Sequence, residues 1–234
     1  MKAISIFIIL NLFPVSLWAI APMERHLMSA SQGMSAFYMY LLSNGDEDYM
    51  QQFNRYQISA DASLNRMNKS DRGEFSNTWR TLKHNLKFER NNGTVYFPAA
   101  VRREYRDYFV GLYLHFNEIS KGWGSSEVHA IVRIKVLTSM LAARALDLVS
   151  SDYGGVDMTA HHRLFDPVEV ADTIGSDIQY LLAAKSSIIK PNAVRKLDSK
   201  FNFIKGNLVD AKSQTAFFMI YRNMLSMSKI LKKY

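Results

Sequence analysis

The chain has 234 residues with 14 Phe, 12 Tyr and 12 Met against 11 Gly and 5 Pro, no cysteine, and a formal charge of +8. The lack of cysteine excludes disulfides, a lipid-modified thiol, thiolate metal sites and thiolate nucleophiles, so the fold must rest on its hydrophobic core. Scarce glycine and proline beside abundant apolar and aromatic residues argue for long helices and against a turn-rich sheet.

Residues 1–21 have the layout of a cleavable secretory signal peptide. Lys2 is followed by the apolar run Ala3–Leu12, by Pro14, and by small residues at Ser16, Ala19 and Ala21. The alternative is an uncleaved inner-membrane anchor, because the run to Ala21 approaches the roughly 20 residues a span needs. Only Lys2 flanks that run and Pro14 interrupts it, so cleavage is preferred. Ala19-Ile20-Ala21 has the A-x-A form but would leave Pro22 after the cut; a cut after Ala19 leaves the bulkier Leu17 at −3. Residues 22–234 are read as the helical domain, with a division near Ser150 giving 22–150 and 151–234. No later segment is long and apolar enough to span a bilayer.

Helical spacing then recurs along the chain. Leu27, Met34, Tyr38 and Leu41 form a stripe over 23–43, followed by the turn SNGDED. Tyr49, Phe53, Tyr56 and Ala60 predict a second helix over 46–69, and Phe75, Trp79, Leu82 and Leu86 a third over 71–90. Only TVYF, 94–97, has the β-branched and aromatic density of a strand, and it has no evident partner. Val101, Tyr105, Tyr108, Leu112 and Phe116 mark a fourth helix over 99–120. The next, capped by Ser125 or Ser126, is apolar round most of its circumference and is expected to be the most buried. Asp166-Pro167-Val168-Glu169 is a helix start, with an aspartate cap, proline at the first position and glutamate three residues on. Val194, Leu197, Phe201 and Ile204 mark another helix, and Phe217, Ile220, Met224 and Leu231 the last. The expectation is an all-α, multi-helix bundle of about seven to eight amphipathic helices.

The stretch SAFYMYLLSNGDEDYMQQFNRYQ, 35–57, resembles a helix–turn–helix in the extracytoplasmic helical sensor domains of bacterial chemoreceptors and sensor kinases. There, a first helix ends near a Gly-Asp-Glu turn and a second begins with a tyrosine; Gly45, Asp46, Glu47 and Tyr49 are the matching positions. The resemblance covers about a tenth of the chain. It implies an antiparallel helical bundle and carries no function, since no kinase or methylation region follows.

Charge is unevenly spread. Residues 185–234 hold eleven Lys and Arg against two Asp, whereas 22–184 hold seventeen basic and nineteen acidic residues. Lys229, Lys232 and Lys233 lead this basic third and are the candidate dock for something anionic, against the plainer role of solvated faces suited to a helix C-terminus. Phe201, Phe203, Phe217 and Phe218 fall at core spacing and are assigned to packing, so nucleic-acid stacking is not expected.

No nucleophile elbow, Walker loop or dinucleotide fingerprint occurs. His161 and His162 with Asp157, and His129 as a third ligand, are the one metal-site alternative; a polar loop is preferred, because adjacent histidines share an ion awkwardly and zinc wants three protein ligands. The residues point to an exported, non-enzymatic binding or accessory protein of the bacterial envelope, periplasmic or secreted and without a cofactor. Its expected partner is an envelope protein or an anionic envelope component. The rivals are an enzyme using His161, His162, Asp157, Asp166 and His129, and a ligand sensor lined by Tyr38, Tyr56, Tyr105 and Trp79. N-terminal sequencing of the exported chain is expected to begin at residue 20 or 22; an intact Met1 on membrane-bound protein rejects the cleaved form.

Overall fold

The computed structural model describes residues 16–85, 89–91, 94–151, 164–184, 188–210, 217–232 and 234, with side chains from Pro22 onward except at 74, 89–91, 94 and 96. Among the described residues eight helices follow in order: α1 (Ser16–Leu42), α2 (Glu47–Leu64), α3 (Lys69–Asn85), α4 (Ala99–Lys121), α5 (Glu127–Val149), α6 (Pro167–Ala183), α7 (Pro191–Val209) and α8 (Phe217–Leu231). The all-α bundle is as the sequence predicts, and no helix among the described residues is long and apolar enough to cross a membrane.

One addition is a small hairpin between α3 and α4. Its strands β1 (Glu89–Asn91) and β2 (Thr94–Tyr96) pair antiparallel, Glu89 opposite Tyr96 and Asn91 opposite Thr94. The partner that TVYF lacked in the sequence is therefore ERN, which is polar and has no strand signal of its own. The available clue was the intervening Asn92-Gly93, the residue pair that two-residue hairpin loops favour. Val95 and Phe97 fasten the hairpin to the core, with the Phe97 ring 4.5 Å from that of Phe37.

Chain entry and exit are set by local chemistry. Asp46 caps α2 by accepting from the Asp48 amide at 3.0 Å, and it follows Asn44 and Gly45 at φ 55° and 95°. Gly45 takes the left-handed conformation that ends α1, where a side chain would be strained. Ser126 caps α5 through the His129 amide at 3.2 Å, and Asp166 caps α6 through the Val168 amide at 2.8 Å.

Two helices organise the packing. α5 lies against α1, α4, α6, α7 and α8, and α1 against α2, α5 and α8. α1 shares with α5 the burial expected for α5 alone: every residue from Ser29 to Tyr40 is buried. Several of its polar groups find partners inside, although the Ser31 hydroxyl has none among the described residues. The Ser29 and Ser59 hydroxyls bond at 2.9 Å, and the Gln32 amide donates to Ser228 at 3.0 Å. A Cβ added at Gly33 would sit 3.4 Å from the Tyr56 Cβ, so the α1–α2 approach uses a residue without one.

His26 is a second internal polar link. Its Nδ1 donates to the Ala60 carbonyl at 3.0 Å, so its Nε2 must accept from the Tyr108 hydroxyl at 2.7 Å, which fixes the neutral tautomer. Trp79 meets the imidazole edge-on at 5.4 Å and donates to Asp61 at 2.6 Å, and Lys83 closes on the same carboxylate at 2.7 Å. Burial lowers the His26 pKa, against smaller opposite effects of the Ala60 carbonyl and the Asp61 charge. The unfolded chain therefore binds this proton at a higher pH than the folded one. Stability from this site is greatest above about pH 6.5 and falls below it by at most about 1.4 kcal/mol per pH unit. Urea midpoints measured from pH 8 to pH 5 should show the decline, and His26→Gln should reduce its slope.

Candidate functional site

The expected metal and docking residues are dispersed. Asp157, His161, His162 and Lys233 lie outside the described residues. His129 stands in the first turn of α5, at the end remote from Ser151, where its Nδ1 donates to the Gly124 carbonyl at 3.1 Å and its ring stacks on Trp123 at 4.8 Å. Asp166 is occupied as the α6 cap. Among the described residues no three His, Asp or Glu side chains converge as a metal site. Lys229 and Lys232 are exposed on the last turns of α8. Of the four aromatics proposed for a sensor, Tyr38 and Tyr105 line one cavity, Trp79 belongs to the His26 cluster and Tyr56 packs beside Gly33.

Sequence reading missed a buried charge cluster between α4 and α5. Arg102 and Arg106 are one helical turn apart on α4, and Arg144 and Asp147 are three residues apart on α5. Arg106 grips Asp147 with Nε to Oδ2 at 2.6 Å and Nη2 to Oδ1 at 3.3 Å. Arg102 Nη1 reaches the same carboxylate at 2.9 Å and also Ser150 Oγ at 3.0 Å, with its guanidinium 5.6 Å from the Tyr38 ring centre. Asp147 is thus a single carboxylate shared by two guanidiniums, with its side chain 5% exposed. The signal was present as charged residues inside the apolar run MLAARALDLV, where a charge needs a partner.

Beside this cluster is a void of about 20 Å³, the room of one water or small ion. Met34 and Tyr38 of α1, Tyr105 and Phe109 of α4, and Phe165 before α6 form its apolar wall, with Arg106, Arg144 and Asp147 on the polar side. Burial, and then the Asp147 charge, raise the Tyr38 hydroxyl well above its usual pKa, so it stays protonated. Guanidiniums stay charged, so these described groups suit charge recognition and do not suit proton transfer.

The second concentration of charge is on the surface. Asn192, Lys196, Ser199 and Phe203 follow helical spacing on the exposed side of α7, and Phe218, Arg222, Lys229 and Lys232 do so on α8. Phe203, Phe218 and Met219 are 62%, 52% and 39% exposed, which corrects the assignment of Phe203 and Phe218 to the core. Phe201 does pack inside, two residues from Phe203, because successive helical positions point about 100° apart. Among the described residues Arg195, Lys196, Arg222, Lys229 and Lys232 form no ion pair, whereas Lys205 is held by Asp172 at 2.8 Å.

No protein-family model, curated protein or solved structure matches the chain.

Asp147→Ala leaves Arg102 and Arg106 buried without their shared counter-charge, and should destabilise the fold by about 3–5 kcal/mol. Glu118→Ala removes an exposed partner of Lys121 and should change stability by less than about 1 kcal/mol. Urea unfolding of the two variants beside the wild type measures the contrast.

Proposed function

We propose that the protein is an exported, non-enzymatic binding protein of the bacterial cell envelope that docks on an anionic membrane surface through α7 and α8. The observation that carries this reading is the exposure of Phe203, Phe218 and Met219 on two adjoining helices whose cations Arg195, Lys196, Arg222 and Lys229, with Lys232 just beyond α8, have no ion pairs among the described residues. Apolar side chains that enter the headgroup region and cations that meet anionic lipid reinforce one another at such a surface. The lysines and arginines supply attraction at a distance; the phenylalanines and the methionine supply the salt-resistant part.

The reading of an exported chain rests on the N-terminal layout and on Pro22. Pro22 stands inside α1, where its ring opposes the carbonyl four residues back. A cut after Ala19 removes that carbonyl and leaves the proline in the first turn, a position proline suits. The cavity between Tyr38 and Tyr105 is far below the several hundred Å³ of a typical small-molecule pocket, which speaks against a sensor lined by those two tyrosines.

Sedimentation with phosphatidylglycerol vesicles is expected to capture the mature protein at low salt, with phosphatidylcholine vesicles capturing far less. Neutralising Lys229, Lys232 and Lys233 to Gln should cost roughly fivefold in affinity per residue near the surface. Phe203→Ser with Phe218→Ser should remove the binding that survives added salt. Equal capture by the two lipids, or unchanged capture of the triple lysine variant, rejects the dock.

A further inference from the structure

The chain carries 12 methionines, and the fold treats one of them differently. Met34, Met39, Met140, Met224 and Met227 are buried, and Met28 and Met50 are half-buried. Among the described residues Met219 alone is exposed, at 39%. It stands on α8 beside Phe218 and three residues before Arg222, so its thioether belongs to the apolar part of the docking face and adjoins a cation. In one chemical respect it differs from the phenylalanines that share that face. Its sulfur carries a lone pair that a mild oxidant can take, and the product is polar.

We propose that Met219 is a redox modification site that controls docking: a peroxide oxidises its thioether to the sulfoxide, and the protein's hold on the anionic surface weakens. The sulfur lone pair attacks one oxygen of hydrogen peroxide, the O–O bond breaks, and the departing hydroxide collects the proton of the S–OH group as water. Sulfur is oxidised by two electrons and the peroxide is reduced by two. The new sulfoxide oxygen is a hydrogen-bond acceptor, and carrying it into the boundary between headgroups and acyl chains costs free energy that the thioether did not. The cations of α7 and α8 are untouched, so attraction at a distance persists while the salt-resistant part of binding declines. Thiol-dependent reduction of the sulfoxide restores the thioether, which makes the change reversible. The switch rests on the docking role proposed for α7 and α8, whereas the selectivity of the oxidation rests on the exposure of Met219 alone.

The test treats the folded mature protein with limiting hydrogen peroxide, maps sulfoxides by peptide mass spectrometry, and measures capture by phosphatidylglycerol vesicles. Met219 should be oxidised well before Met34, Met39, Met140, Met224 and Met227, with the urea midpoint unmoved. Capture in added salt should fall by about tenfold, and capture at low salt by less. Met219→Leu should bind as the wild type does and ignore peroxide, and Met219→Gln should reproduce the oxidised protein without it. Oxidation of a buried methionine ahead of Met219 overturns the site. A Met219 sulfoxide that binds like the thioether, or a Met219→Leu protein that loses capture on oxidation as the wild type does, overturns the switch and leaves the dock standing. Unoxidised protein that ignores these vesicles overturns the dock itself, and the switch with it.

Discussion

Twelve consecutive residues of α1, Ser29–Tyr40, are buried, so this helix must find neighbours on every side. An ordinary surface helix offers one stripe to a core. A surrounded one needs both apolar residues and polar residues small enough to be satisfied internally. α1 meets most of that demand with the Ser29–Ser59 and Gln32–Ser228 links and with a close approach at Gly33. α2, α5 and α8 are placed by their contact with it, and α5 in turn carries α4, α6 and α7. The positions of both candidate sites follow: the Arg144 cavity opens off α1 itself, and the α7–α8 face belongs to helices that pack on α5, α8 touching α1 as well.

The two sites treat positive charge differently. Between α4 and α5 the cations are arginines, whose planar guanidiniums can be buried against a carboxylate and stacked over an aromatic ring. On α7 and α8 lysines predominate, with flexible stems and strongly hydrated heads suited to solvent. Arg133 follows the first pattern, holding Asp177 with bonds of 2.8 and 2.6 Å between α5 and α6. Internal arginine pairs thus lock helix to helix in the middle of the chain, while the excess charge of the last fifty residues stays outside.

Features governed by neighbours in sequence were legible before the fold was known. The Asp46, Ser126 and Asp166 caps, the stripes of α4 and α6, and the solvent exposure of Lys229 and Lys232 all follow from local rules. Features made by distant encounters were not. Arg106 and Asp147 are separated by 41 residues and Gln32 and Ser228 by 196, and no local pattern joins either pair. The burial of the α1 serines was not legible, because burial of a hydroxyl depends on a partner the sequence does not display. Phe203 looked like core for the converse reason: its spacing from Phe217 and Phe218 resembles packing until α7 is rotated by the burial of Phe201 and Ile204.

The link from Gln32 to Ser228 also bears on the order in which the molecule can be assembled. A polypeptide leaves a ribosome or a membrane pore from its N-terminus, so α1 emerges early and α8 last. Until α8 arrives, the side of α1 that meets it is uncovered, and the bond from Gln32 to Ser228 cannot form. Closure of the core is therefore the final event of synthesis or transport.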